Sequence, residues 1–275
     1  MKKYLLFLLL LSNLLSNAAK AALPFVTDDA GIAKPNQLVV ESFIERWTLP
    51  ASTQANRGAS RLYGPYLSFS CGLNKHLEFS AASMASYNVI DHSTSFLNPI
   101  LQLKTKIFES ENKAIPAFSI DWGYVNKNGS GEYFDPATNY YAIGTTTSHL
   151  FDDNLIIHTN FGKKASYDIE PGGHVIRTHL GVALDMAMPR KDFRLIVESF
   201  NGAPNSPRDS PSYFRSHQVG LRWIKAEDKV FYVVYGEQPT FTDYGDNGQK
   251  IYSSTNWVQV GMRLTFDDVF SFRKH

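Results

Sequence analysis

The chain has 275 residues, 27 basic against 26 acidic side chains for a net charge of +1, and one cysteine. That balance leaves no electrostatic footprint for nucleic acid, and Cys71 alone can form neither an internal disulfide nor a structural zinc site. A mean hydropathy of -0.23 argues against a bundle of spanning helices but not against a closed barrel, in which about half of the side chains face water or a lumen.

Met1-Lys2-Lys3 is a positive start, residues 4–15 are apolar apart from Ser12 and Asn13, and Ala19-Lys20-Ala21 places small residues where a signal peptidase reads. The apolar run is shorter than the ~20 residues of a spanning helix, so residues 1–21 are expected to be a cleaved signal peptide, with a mature start near Ala22. No cysteine lies at the cleavage site, which argues against a lipoprotein. Residues 22–37 are expected to be a periplasmic lead-in and residues 38–275 a transmembrane β-barrel.

Alternation and turn chemistry predict twelve strands, at 38–47, 62–72, 77–87, 97–108, 114–125, 139–151, 155–162, 175–188, 193–200, 213–224, 230–237 and 255–266. The connections alternate between short polar turns (74–76, 109–113, 152–154, 189–192, 225–229) and longer ones (49–61, 88–96, 126–138, 163–174, 201–212, 238–254). Short periplasmic turns and longer extracellular loops follow this two-beat rhythm when both termini are periplasmic. The predicted fold class is therefore all-β: a closed antiparallel transmembrane β-barrel of about 12 strands in the bacterial outer membrane.

In the last strand Val258, Val260, Met262, Leu264 and Phe266 share one face, while Trp257, Gln259, Gly261, Arg263 and Thr265 share the other. An apolar face toward lipid leaves the polar face for the lumen. By the same parity the lumen-lining candidates are Lys104, Lys106, Asp121, His158, Asn160, Arg177, His179, Asp185, Arg194, Glu198, Arg222 and Arg263, with Glu41 and Glu45 joined on their face by Val39, Phe43 and Trp47. Charge of both signs predicts a lumen partly filled by ion pairs or a weakly selective pore. Trp47, Trp122 and Trp257 fall near the outer membrane surface and Trp223 near the periplasmic one, so all four are expected as interface aromatics.

Gln259, Gly261, Leu264 and Phe266 fit the spacing of the terminal assembly signal of outer-membrane barrels, although nine residues follow Phe266. That resemblance implies the barrel-assembly machinery and periplasmic chaperones as partners, besides outer-membrane lipid. Phe25-Val26-Thr27-Asp28-Asp29-Ala30-Gly31, Pro35-Asn36-Gln37 and the strand that follows, with Gly72-Leu73-Asn74-Lys75-His76-Leu77-Glu78 in the second hairpin, resemble the opening of the outer-membrane family named after the MetA pathway of phenol degradation. The likeness spans the first ~80 residues. It implies a barrel that passes small, often hydrophobic molecules. Asp28 to Gly31 reads as a turn ahead of the barrel.

Three functions remain open at this point. The first is a passive channel for uptake of small solutes, hydrophobic or aromatic ones among them. The second is a structural or adhesive surface barrel with a plugged lumen, and the third is an outer-membrane lipid hydrolase. Ser148-His149 and Ser216-His217 are adjacent strand residues that point to opposite faces, which keeps nucleophile and base apart. His92-Ser93 lies in a loop with no third residue placed by spacing. No phosphate loop, dinucleotide glycines or paired metal ligands occur, so no enzyme, cofactor or metal site is expected.

Overall fold

Period-two alternation commits a chain to strands, and strands that must satisfy every backbone group in lipid have to close on themselves. A computed structural model describes residues 25–48, 61–89, 92–96, 99–127, 138–167, 173–201, 216–244, 247 and 250–269. Its strands are β1 (Leu38–Thr48), β2 (Arg61–Gly72), β3 (Leu77–Asn88), β4 (Thr94–Phe96), β5 (Ile100–Phe108), β6 (Ala117–Val125), β7 (Thr138–Leu150), β8 (Leu155–Tyr167), β9 (His174–Ala187), β10 (Phe193–Phe200), β11 (Ser216–Ala226), β12 (Lys229–Tyr244) and β13 (Lys250–Phe266). Sequential neighbours pair antiparallel around the wall, and β1 zips to β13 from Leu38↔Phe266 to Thr48↔Asn256, which closes the barrel. β5 pairs with the lower part of β3 and β4 with its upper part, so the two share one position and the wall has twelve.

The departures from the expected strands have local causes. The predicted strand 97–108 starts at Ile100, after Pro99, and Thr94–Phe96 inside the predicted loop 88–96 forms its own short strand on β3. The strand expected from 114 starts at Ala117, after Pro116, because proline has no N–H for the ladder. β8 runs on to Tyr167, and β12 and β13 pair as far as Tyr244↔Lys250, so much of the expected loops 163–174 and 238–254 is ladder.

Side chains sort by parity. In β13 Val258 and Val260 are 44% and 59% exposed, whereas Trp257 and Gln259, which alternate with them, are buried. Aromatic rows line the outer wall. Tyr124, Tyr140, Tyr167 and His174 touch in sequence toward the end that carries the longer connections. Phe193, Trp223 and Phe231 do so near the end that carries the short turns. Rows at two heights suit the two boundaries of a bilayer.

Residues 25–37, expected as a periplasmic lead-in, instead run into the barrel. Phe25, Thr27, Ala30 and Ala33 are each at most 2% exposed. Their stem is held at the turn end. The Asn36 N–H donates to Gly72 O at 3.1 Å, and the Gly72 N–H donates to Gln37 O at 3.1 Å. Gln37 Nε2 donates to Asp267 Oδ1 at 2.8 Å, and the Val269 N–H donates to Asn36 O at 3.1 Å. A Cβ on Gly72 would stand 2.0 Å from Lys34 O, so only glycine lets the stem lie against β2. Residues following the expected assembly signal thus clamp the stem of the inserted segment.

Candidate functional site: the occluded lumen

The inserted segment forms no strand, and the wall supplies acceptors for several of its main-chain donors. The Ala33 N–H donates to Glu78 Oε2 on β3, and the Ala30 N–H to Thr147 Oγ1 on β7 at 2.8 Å. Asp28 N–H reaches Asn160 Oδ1 on β8 at 2.7 Å. Glu198 on β10 accepts from Thr27 N–H at 2.6 Å, Val26 N–H at 3.2 Å and the Thr27 hydroxyl at 3.1 Å. A buried N–H left without an acceptor costs about 1–3 kcal/mol, so these wall residues fix the path of the segment.

Charge adds to this. Lys104 on β5, 3% exposed, sits 2.5 Å from Asp28, 3.9 Å from Asp29 and 4.0 Å from Asp121 of β6. Asp121 also accepts from Thr145 at 2.9 Å and Gln102 at 3.0 Å. The Phe25 ring lies among Ala183, Ile196 and Val234, with the Arg222 guanidinium 5.5 Å from its centroid. A Cβ on Gly220 would come within 2.7 Å of that ring, and one on Gly181 within 2.5 Å of the Thr27 hydroxyl. These two glycines make room in the wall for the segment.

The remaining lumen-lining candidates fall on the same inward faces. Asp185 joins two arginines, Arg194 at 2.5 Å and Arg222 at 3.0 Å, and Arg194 also donates to the Asp153 carbonyl. Glu45 accepts from Gln259 Nε2 at 2.6 Å. Glu41 is buried opposite Arg263 in register, and Phe43 on the same face stacks on Tyr66 at 4.4 Å. His158 meets Thr147 Oγ1 at 3.0 Å, and His179 is buried on β9. Arg177 is half-buried opposite Lys164 in register, and Lys106, near the turn end, pairs with the exposed Glu109 at 2.6 Å.

The tryptophans divide. Trp122 and Trp223 face outward, but Trp47 and Trp257 stack on each other inside at 5.4 Å, and Trp257 donates to Gln218 Oε1 at 3.2 Å. The expectation of four interface aromatics is corrected for those two. Their strands place them opposite each other on the face of Glu45 and Gln259, and a Cβ on Gly236 would meet the Trp257 ring at 2.1 Å. Among the assembly-signal residues, Gln259 points inward, Gly261 lies beneath Phe43 and Tyr232, and Phe266 is outward and exposed, with Leu264 two residues before it on the same face.

Sequence reasoning missed Phe25, Thr27, Asp28 and Thr147 as lumen residues. Two strand-interior glycines facing the lumen, Gly181 and Gly220, were the available signal, since such glycines mark close approach of another chain segment. Among the described residues no group of three or more His, Cys, Asp or Glu side chains is placed to hold a metal. Ser216 is buried while His217 is exposed, His149 pairs with Asp153 at 2.8 Å, and His92 meets the Tyr87 hydroxyl at 2.7 Å.

No family model and no curated protein matches the chain. Solved structures do. An outer membrane channel from Pseudomonas putida F1 superposes with a TM-score of 0.59 at 8% identity, over 92% of this chain and 100% of that one. The KdgM porin gives a TM-score of 0.51 at 14% identity, over 83% of this chain and 99% of that one. For the NanC porin the values are 0.50 and 12%, over 82% and 98%. At such identities the likeness is one of architecture: the chain has the closed antiparallel β-barrel fold of these three proteins.

Proposed function

We propose that this barrel resides in the bacterial outer membrane, exported by the signal ahead of Phe25, and acts as a passive channel for uptake of small solutes, hydrophobic and aromatic ones among them. The observation that carries the reading is the lumen itself. A strand wall with charges of both signs is spanned by a segment that belongs to no strand and is held by side-chain acceptors. A passage closed by groups that can exchange one partner for another can open without breaking the ladder. The resemblance of the chain's opening to the MetA-pathway family supports the solute class, and the terminal strand supports delivery by periplasmic chaperones and the barrel-assembly machinery.

The same segment favours a second reading, a structural or adhesive barrel whose lumen stays shut. A lipid hydrolase receives no support from the serine and histidine positions described above. Swelling of liposomes containing the purified barrel, across a panel of neutral aromatic, aliphatic and sugar solutes, separates the first two readings. Solute-dependent swelling is the expected result; none with any solute would leave the structural reading.

A further inference from the structure

Residues 25–27, the tip of the described part of the inserted segment, are bound as a ligand is bound. Phe25 is set into a recess that Gly220 opens and Arg222 covers. Immediately beside the recess, Glu198 is 1% exposed and accepts three of its hydrogen bonds from the segment, with Gln218 Nε2 supplying a further one at 2.9 Å. If the tip withdraws, the apolar recess is vacant and Glu198 loses the three donors that the segment supplies. Water can hydrate the carboxylate but gains nothing in an apolar recess, so a solute that offers a ring to the recess and an N–H to Glu198 replaces both parts of the tip.

We propose that the Phe25 recess and Glu198 form a solute-binding site for neutral aromatic amides, which the chain's own residues 25–27 occupy as an internal competitor. The ring and the next main-chain N–H, that of Val26, have the spacing of an arylpropanamide. An aromatic face suits the Arg222 guanidinium, since a cation prefers the π-cloud to a saturated ring. An amide suits Glu198, whereas a carboxylate in its place would meet like charge. Occupation by a solute then displaces the tip, which couples solute entry to release of the segment.

The inference rests on the channel reading for its biological sense, but the two fail separately. A barrel that conducts without binding such amides loses the site, and one that binds them without conducting loses the channel.

Calorimetric titration of the full barrel in detergent with phenylpropanamide tests the site. Phe25→Ala, which empties the recess, is expected to bind about tenfold or more tighter than wild type, because the competent state is no longer masked. Gly220→Val in the Phe25→Ala background refills the recess and is expected to abolish binding, and phenylpropanoate and cyclohexylpropanamide are expected to bind far more weakly than the amide. Equal affinity in wild type and Phe25→Ala, or retained binding with Gly220→Val, overturns the proposal. A second measurement leaves Phe25 in place. With Cys71 replaced by Ala, saturating phenylpropanamide should raise the rate at which a thiol reagent modifies Thr27→Cys, and no increase overturns the coupling.

Discussion

Lys104→Met removes the cation that lies among Asp28, Asp29 and Asp121. In the folded chain Lys104 is 3% exposed and its ammonium lies 2.5 Å from Asp28. Breaking a fully buried pair by deleting one partner costs about 3–5 kcal/mol. Asp28 is 34% exposed at its side chain, so solvent screens part of that interaction. Asp121 belongs to the wall and keeps its bonds from Thr145 and Gln102 when the segment leaves. About 2 kcal/mol therefore falls on retention of the segment, which is about a 30-fold shift toward release. Ala30 is 0% exposed, so the modification rate of Ala30→Cys, in a Cys71→Ala background, reports that release. Lys104→Met should raise the rate about 30-fold, and Asp28→Asn added to it should recover part of the loss by removing an uncompensated carboxylate. An unchanged rate in Lys104→Met would refute the assignment of Lys104 as the electrostatic anchor of the segment.

The stem clamp predicts that Gln37→Ala and Asp267→Ala each raise Ala30→Cys labelling less than Lys104→Met does, and that their combination adds nothing beyond Gln37→Ala, which removes the same 2.8 Å bond and also the Lys34 N–H bond to Gln37 Oε1 at 3.2 Å. Val260→Arg places charge on an outward face near mid-wall and should cost roughly 2–4 kcal/mol, seen as lower membrane-inserted yield at equal expression. Arg263→Ala, on the opposite face, should insert like wild type. A tag at Asn128-Gly129, which lies outside the described residues, should be labelled on intact cells. A tag at Asp153-Asn154, in the turn between β7 and β8, should not be.

The wall was legible because each membrane-facing strand must be apolar on one side, and that requirement writes a period of two into the chain. β10, Phe193–Phe200, is found where the alternation placed it. Legibility fades where the constraint does. In residues 238–244 and 250–256 the sequence no longer alternates apolar with polar, yet the ladder of β12 and β13 continues to Tyr244↔Lys250. Glu41 and Glu45 were ambiguous because Phe43 and Trp47 share their face, and the structure places all four inward, with Phe43 on Tyr66 and Trp47 on Trp257. The inserted segment was illegible for a different reason. It makes no ladder inside the lumen, so it has no period, and its acceptors, Glu78, Thr147, Asn160 and Glu198, come from four strands that only the closed barrel brings around it.

On the proposed reading, residues 25–33 close a passage that the wall would otherwise leave open. Single-channel recording in planar bilayers, comparing the full barrel with a variant lacking residues 25–33, tests it most directly, with heat-modifiable migration showing that both are folded. Rare or small openings are expected for the full barrel and larger, persistent steps for the variant. A folded, inserted variant that conducts no more than the full barrel would contradict it.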